Sequence, residues 1–395
     1  MTRYLDYAAT TPVDPRVVEA MLPYFTEHFG NPNSLYTIGR DAYRALEEAR
    51  ATLAAGMGAA TPSEVVLTSG GTESDNAALI GVLNRVAPDR NAHIIVSAYE
   101  HHAVLEVAQA LEKQGYGLSV VKPRSDGHVH PDDVAAAMRP DTKLVSVIYA
   151  NNEVGAVNDV KALAAVAHAG GAVFHTDAVQ ALGKVRMNLE EDGVDLASFS
   201  AHKIYGPRGI GALYVRRGTK WEPFIKGGGQ ENRRRSGTQN VAGAVGFARA
   251  LEIMIEEFDT EMPRLSALRD RVIAGVTSRL ENTEPSVSTG ERLPNIAPLL
   301  IKGVEGEAML LQMDMKGFSV STGSACSSGS LEPSHVLLSI GVPQEVAHGS
   351  MRVTVGRWTT EQDVDDFIEA LVPVVENYRK MSPVYERMFC QPTAN

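Results

Sequence analysis

Three short stretches hold residues whose types and spacing could do chemistry. The first is Thr68 to Ser74, TSGGTES, which follows an apolar run and precedes a helical pattern. Small residues there let backbone N–H groups turn inward, and a helix N-terminus favours anions, so a phosphate fits. The Thr72 hydroxyl could add a hydrogen bond. A plain capping turn, with Thr72 or Ser74 as the cap, fits the same residues. The second stretch is Phe174 to Gln180, FHTDAVQ. Asp177 closes an apolar strand, where an unpaired carboxylate is costly and a cationic partner would offset the cost. A helix N-cap is the alternative. The third is Ser200 to Gly209, SAHKIYGPRG, with Lys203 just after an apolar strand. Taken alone, a lysine so placed reads as a surface residue.

Together the three change the reading. A phosphate cradle, a strand-end Asp and a strand-end Lys are the parts that a pyridoxal 5'-phosphate site needs. The lysine supplies the amine that holds the aldehyde, the aspartate meets the pyridinium nitrogen, and the cradle holds the phosphate. No Walker sequence and no dinucleotide glycine fingerprint competes for the sheet edge. A fourth feature stands apart. Cys326 lies in Ser321 to Ser330, STGSACSSGS, among small polar residues. Most free cysteines are small buried hydrophobes. These surroundings suit instead an exposed, mobile loop, where a thiol can react. Cys390 reads as incidental. His175 is expected to face away from Asp177 on its strand, and His335 and His348 are read as packing or surface residues in helices.

Such residues need strand ends to sit on. Between about 60 and 215 short apolar runs alternate with helical patterns. The runs include Val65 to Leu67, Ile94 to Val96, Leu144 to Tyr149, Ala172 to Phe174 and Leu213 to Val215. The helical patterns cover 73–85, 103–114, 131–138 and 159–169. This alternation predicts βαβ units and a mainly parallel sheet covered on both faces, with ligands at the carboxyl ends of the strands. After about 240 the pattern changes. Helices are expected near 240–257 and 261–281, then a strand at 296–301, a helix at 306–315, a strand at 351–355 and a last helix near 361–379.

Composition narrows the class. The chain has 395 residues, 44% hydrophobic and 22% charged, as in a globular protein of two or three domains. Its net charge of −11 argues against phosphate-neutralising nucleic-acid binding and against docking on an anionic membrane. Two cysteines argue against a disulfide framework and favour a reducing compartment. No secretory leader is expected, since no apolar run follows the first basic residue. The apolar stretch 241–255 is broken by Arg249, and nothing reaches a membrane span. A cytoplasmic protein is expected. No His/Cys spacing resembles a metal site.

At this point the sequence resembles a known family, the NifS/IscS-type cysteine desulfurases. These are class V aminotransferase relatives among the fold-type I pyridoxal-phosphate enzymes. The resemblance runs nearly end to end. It is carried by Tyr4–Thr11 (YLDYAATT), Gly30–Ser34 (GNPNS), Ser69–Ser74, Glu100–Val104 (EHHAV), Asn151–Gly155 (NNEVG) and His175–Gln180. It continues through Ser200–Lys203, Gly227–Glu231 (GGGQE), Arg235–Thr238 (RSGT), Ser324–Cys326 and Arg352–Arg357 (RVTVGR). Asn158, Gln230 and the run Arg233 to Arg235 depart from the usual pattern.

The resemblance implies roles. Lys203 would hold pyridoxal 5'-phosphate covalently and move the substrate α-proton. His101, and not His102, would stack on the ring and help move protons. Asp177 would meet the pyridinium nitrogen, with Gln180 and Asn152 near the ring oxygen. Gly71, Thr72, Ser200 and His202 would hold the phosphate. Thr238 would reach the phosphate of a partner subunit, which implies a symmetric homodimer. Arg352 would pair with the substrate carboxylate, and Asn31 would lie close to the same substrate. Cys326 would take the sulfur of L-cysteine as a persulfide, leaving alanine. An acceptor would follow, such as an iron-sulfur scaffold protein or a tRNA-thiolation relay.

The implied fold is α/β, a mainly parallel sheet in a large aspartate-aminotransferase-like cofactor domain with a smaller α+β domain. The expected division is an arm at 1–14 packing on the small domain, a large domain at 15–259 and a small domain at 260–395 carrying the Cys loop 321–330. Rival readings on the same scaffold are a selenocysteine lyase, an aminotransferase or a non-catalytic sulfur-assembly scaffold. Cys326 argues against the aminotransferase, and intact Lys203, Asp177 and His101 argue against the scaffold.

Overall fold

Runs of apolar residues without alternation bury both faces of a strand, and a covered parallel sheet is where such strands belong. The computed structural model describes residues 3–323 and 332–390. Its strands are, in chain order, β1 (Arg3–Tyr4), β2 (Val65–Thr68), β3 (His93–Ser97), β4 (Gly117–Val121), β5 (Thr142–Ser146), β6 (Val173–Asp177), β7 (Leu196–Ser200) and β8 (Gly211–Val215), followed by β9 (Thr283–Pro285), β10 (Ile296–Ile301), β11 (Phe318–Ser319) and β12 (Ser350–Thr354). The central sheet has the order β2-β8-β7-β6-β5-β3-β4. Neighbours from β4 through β7 pair in parallel, and β8 runs antiparallel to both β7 and β2. Every residue of β2, β3, β7 and β8 is buried.

Alternate residues serve opposite faces. Val66, Ile94, Val96, Leu196 and Leu213 pack with Leu79 and Leu83 of the helix Gly71–Val86 and with Val104 and Leu111 of the helix His102–Lys113. Val65, Leu67, Ile95, Phe174, Phe199 and Tyr214 join Leu46, Leu53, Leu163, Phe247 and Leu251 on the other face. The sheet is thereby held rigid, and its strand ends become fixed mounting points.

A second sheet, β12-β10-β9, is antiparallel. Its middle strand β10 is buried along its whole length. The helices Phe258–Thr277 and Glu361–Met381 share its core through Leu268, Val272, Phe367 and Leu371. The extended first residues join the two sheets. β1 pairs in parallel with β11, and Thr354 N–H donates to the Leu5 carbonyl. Further along, Thr11 N–H donates to the His202 carbonyl and Asp14 N–H to the Tyr205 carbonyl. One arm thus reaches from the small sheet to the turn that carries Lys203.

Three differences from expectation have physical causes. The strand expected through Tyr149 ends at Ser146, although Val147 and Tyr149 still donate to the His175 and Asp177 carbonyls. The helix Thr37–Met57 was not anticipated. Its buried face mixes Leu46, Leu53 and Met57 with four alanines and Arg50, a set with no run of large apolar residues, and Gly58 ends it at φ +67°. The edge strand β4 is only half-buried and lacks a continuous apolar run.

Candidate active site

The turn after β2 sits on the sheet end because two glycines let it. Gly70 has φ +154°, a value that L side chains rarely adopt, and stands at the N-cap of the helix Gly71–Val86. A Cβ on Gly71 would come within 2.8 Å of Val179 Cγ2. No side chain caps this helix. The capping alternative for Thr72 and Ser74 therefore fails: both lie inside the helix, and the Ser74 hydroxyl bonds Thr68 Oγ1 and the Gly70 carbonyl instead. The first N–H groups of the helix are left facing the cavity end, as an anion requires.

That cavity has a volume of about 350 Å³. It is lined by Gly71, Thr72, His101, Asn152, Asp177, Gln180, Ser200, His202, Lys203 and Arg352, ten of the residues singled out from the sequence. A larger open groove of about 770 Å³ near Arg379 and Tyr385 gathers no comparable set. Two of the expected residues lie elsewhere. Asn31 and Thr238 are exposed and do not line the cavity. They are neighbours of a kind, because Asn33 donates to Asn31 Oδ1 and to Gln239 Oε1. Cys326 lies outside the described residues. The chain leading to it is in place: Ser321 exchanges both backbone hydrogen bonds with Arg352, and Gly323 N–H reaches Ser350 Oγ at 3.3 Å.

Asp177 closes β6 at 5% exposure, with Oδ1 accepting from Val179 N–H at 2.9 Å. Among the described residues it has no ion-pair partner. Burial pushes its carboxyl up, while the charges of His101 and Lys203 pull the other way. Asp75, from the helix Gly71–Val86, also lines the cavity, and burial beside Asp177 raises its carboxyl far above the usual range. Its Oδ1 has no hydrogen-bond partner among the described residues. The pair therefore favours one negative charge, not two.

The Lys203 ammonium donates to the Ala8 and Ala9 carbonyls of the arm, at 2.7 Å each. His101 caps the helix His102–Lys113, its Nδ1 accepting from Ala103 N–H at 3.1 Å. The neutral ring consequently carries its proton on Nε2. Burial lowers His101, and burial with the Lys203 charge brings His202 down to about 4. Arg352, on β12, gives Nη2 to Asp6 and Nη1 to the Asn152 carbonyl. Its Nε–H is buried and, among the described residues, unpartnered.

The expectation that His175 faces away from Asp177 is wrong. Residues two apart on a strand share a face. His175 is fully buried on the Asp75 side, between the hydroxyls of Ser146 and Ser198, with Nε2 3.6 Å from Asp75 Oδ1. His335 touches the site rim, its Nε2 3.0 Å from the Glu100 carbonyl and its ring 4.8 Å from that of His102. Sequence reasoning missed Asp6, Asp75 and the Ala8–Ala9 carbonyls. Asp75 could have been found as the charged residue one turn after Gly71, on the apolar side of its helix.

The fold and the sequence now agree on a relationship. A family model described as Aminotransferase class-V matches residues 3–367.

The chain belongs to the class V aminotransferase family.

Its relatives include a "Cysteine desulfurase IscS" of Dictyoglomus turgidum, 48% identical over 380 residues, 96% of each chain. Another of the same name, from Clostridium botulinum, is 44% identical and covers 97% of this chain and 96% of that one. Among solved structures a "NIFS-LIKE PROTEIN" superposes with a TM-score of 0.89 at 36% identity, covering 95% of this chain and all of its own. A structure titled "SspA in complex with cysteine" has a TM-score of 0.80 at 32% identity, covering 91% of this chain and all of its own.

Proposed function

We propose that this class V family member is a cysteine desulfurase that uses pyridoxal 5'-phosphate held on Lys203. The observation that carries the cofactor is the set of unmatched groups in one cavity. Among the described residues Asp177 is a buried carboxylate lacking an ion-pair partner, and Gln180 Oε1 is a buried acceptor lacking a donor, while Gln180 Nε2 is fixed on the Ala8 carbonyl. A glycine-built helix N-terminus awaits an anion, and a lysine amine stands beside them. A pyridinium, a ring hydroxyl, a phosphate and an aldehyde answer these four needs. When bound, the cofactor supplies an electron sink for the charge left on the substrate α-carbon.

The chain's own groups do the rest. Arg352, which lines the cavity, holds the cysteine carboxylate with its guanidinium. Lys203 takes the α-proton on Nζ, and His101 can pass a proton from Nε2. Cys326 receives the substrate sulfur as its thiolate, making an S–S bond while the substrate C–S bond breaks. Alanine leaves, and a sulfur-acceptor protein, such as an iron-sulfur scaffold or a tRNA-thiolation relay, takes the persulfide sulfur. The cysteine substrate is supported by the names of the relatives and by the cysteine complex of the SspA structure.

We assign residues 15–259 to the cofactor domain and 260–395 to the small domain, with the arm 1–14 on the latter. Among the described residues no helix is long and apolar enough to cross a membrane. The deciding experiment incubates the purified protein with L-cysteine and measures alanine and sulfide together, with and without reductant. Alanine in step with sulfide when reductant is present supports the reading. Pyruvate or amino-group transfer in place of alanine sinks it.

A further inference from the structure

One ion pair of the cavity wall has no part in the reading above. Arg352 Nη2 lies 2.9 Å from Asp6 Oδ1, and the two side chains are 4% and 17% exposed. Arg352 lines the cavity and Asp6 does not, so Asp6 acts on a ligand only through the guanidinium. Backbone bonds fix both partners. Asp6 bridges Thr354, two residues after Arg352 on β12, and Thr354 Oγ1 accepts from Ala8 N–H. The Tyr4 hydroxyl reaches the Asp6 and Thr10 carbonyls, 2.9 Å each. Arg352 exchanges both backbone bonds with Ser321.

A buried ion pair adds little stability over apolar packing of the same volume. What it can add here is direction. A guanidinium carries five N–H donors in one plane. Among the described residues Asp6 takes one from Nη2 and the Asn152 carbonyl takes one from Nη1. One donor is left on each terminal nitrogen, the two-pronged set that a carboxylate matches. With the carbonyl alone, the plane could tilt about its single bond.

We propose that Asp6 is a positioning residue for substrate binding, fixing the plane of the Arg352 guanidinium so that both terminal nitrogens meet the amino-acid carboxylate. The inference rests on Arg352 being the carboxylate anchor. Asp6 also places a negative charge near the incoming one, so orientation and repulsion oppose each other. Orientation wins, because the Asp6 charge is already matched by Arg352, whereas a tilted guanidinium loses one of two charge-assisted bonds outright.

The test measures dissociation constants of alanine and ethylamine for the cofactor-loaded full-length protein, read from the cofactor's absorbance. Ethylamine is alanine without its carboxylate. Each amine replaces the Lys203 nitrogen on the aldehyde carbon, exchanging one C–N bond for another with no change in oxidation state. Asp6→Ala should bind alanine about tenfold more weakly, with ethylamine unchanged. Asp6→Asn keeps an acceptor for Nη2 and should stay within about threefold of native. KM for cysteine should follow the alanine constants while kcat stays near native. Native alanine binding in Asp6→Ala, with only the melting temperature lowered, overturns the inference. Tighter alanine binding in both variants makes Asp6 a competitor for the guanidinium and overturns it too, as do equal losses for alanine and ethylamine. Should Asp6→Ala fail to fold, Asp6→Glu decides, since it keeps the charge and displaces the guanidinium by a methylene. Alanine must then bind more weakly and ethylamine as in native, and native alanine binding overturns the inference. Arg352→Ala separates the two claims. Native alanine binding by that variant sinks the anchor, whereas weak binding by it, together with native binding in Asp6→Ala, sinks only the role of Asp6.

Discussion

Cofactor chemistry and sulfur transfer reside on different side chains, so single substitutions should part them. Cys326→Ser leaves every cavity-lining residue untouched, and it should load cofactor and bind cysteine as the native protein does. A hydroxyl is a poor nucleophile toward sulfur and cannot become a persulfide, so alanine release should fall by a factor on the order of a thousand or more. After cysteine treatment, mass spectrometry of the native protein should find added sulfur on Cys326 and none on Cys390. Native alanine release by Cys326→Ser would end this assignment. A second prediction concerns Glu100, fully buried with Oε1 accepting from Ile148 N–H and Oε2 unpartnered among the described residues. Burial raises its carboxyl from 4.5 to about 8. The folded state thus holds a proton that the unfolded chain gives up above 4.5. The associated stability is fully present below that value and lost as pH rises toward 8. Glu100→Gln cannot ionise. Its stability relative to native should grow between pH 5 and 8 by a few kcal/mol, an order of magnitude only. Urea unfolding of both proteins at the two pH values checks this, and a constant difference refutes it.

At the scale of elements, the antiparallel strand β8 is the support on which the phosphate turn rests. A Cβ on Gly211 would meet the Phe199 carbonyl oxygen at 2.4 Å and Gly70 Cα at 2.7 Å, both backbone atoms that cannot swing aside. Gly211→Ala should therefore push the Gly70–Gly71 turn off the sheet end. We expect a loss of stability of about 1–3 kcal/mol and a weaker hold on pyridoxal 5'-phosphate, read by equilibrium dialysis. Native affinity in a folded Gly211→Ala would show that the turn is not braced by β8. This bracing was invisible in the sequence, where Gly211 is one small residue before an apolar run. The strand ends themselves were legible, because Thr68 closes an unbroken apolar run and Asp177 and Ser200 close short, mostly apolar ones before a change of pattern. What could not be read was contact across the chain. Nothing in Tyr4 to Thr11 says that its carbonyls will hold Lys203, some 195 positions later. The helix Thr37–Met57 hid for a related reason: it packs on the helix Val241–Glu256, about 190 positions away, and small residues on both buried faces let the pair approach, a pairing that neither segment shows by itself.

For the molecule as a whole, the two expected residues that miss the cavity have one explanation in common. Asn31 and Thr238 lie on a surface that also exposes Phe25, Phe29, Leu35 and Tyr36, at 61%, 67%, 89% and 61%. Large apolar side chains gathered in this way mark an interaction surface. A symmetric homodimer would bury them and bring Thr238 of one chain to the other chain's phosphate cradle. Complementation between two dead variants tests this directly. Lys203→Ala removes the cofactor's anchor, and Thr238→Glu places a negative charge where the phosphate should sit. If each site draws Lys203 from one chain and Thr238 from the other, a mixed dimer contains one site with both lesions and one with neither. Co-expressing the two inactive chains should then restore roughly a quarter of native alanine formation, given random pairing. If each site is built from a single chain, every site in every dimer carries one lesion, and co-expression restores nothing. The second outcome, from chains shown by native mass spectrometry to have mixed, would remove Thr238 from the cofactor site and leave the apolar surface to some other partner.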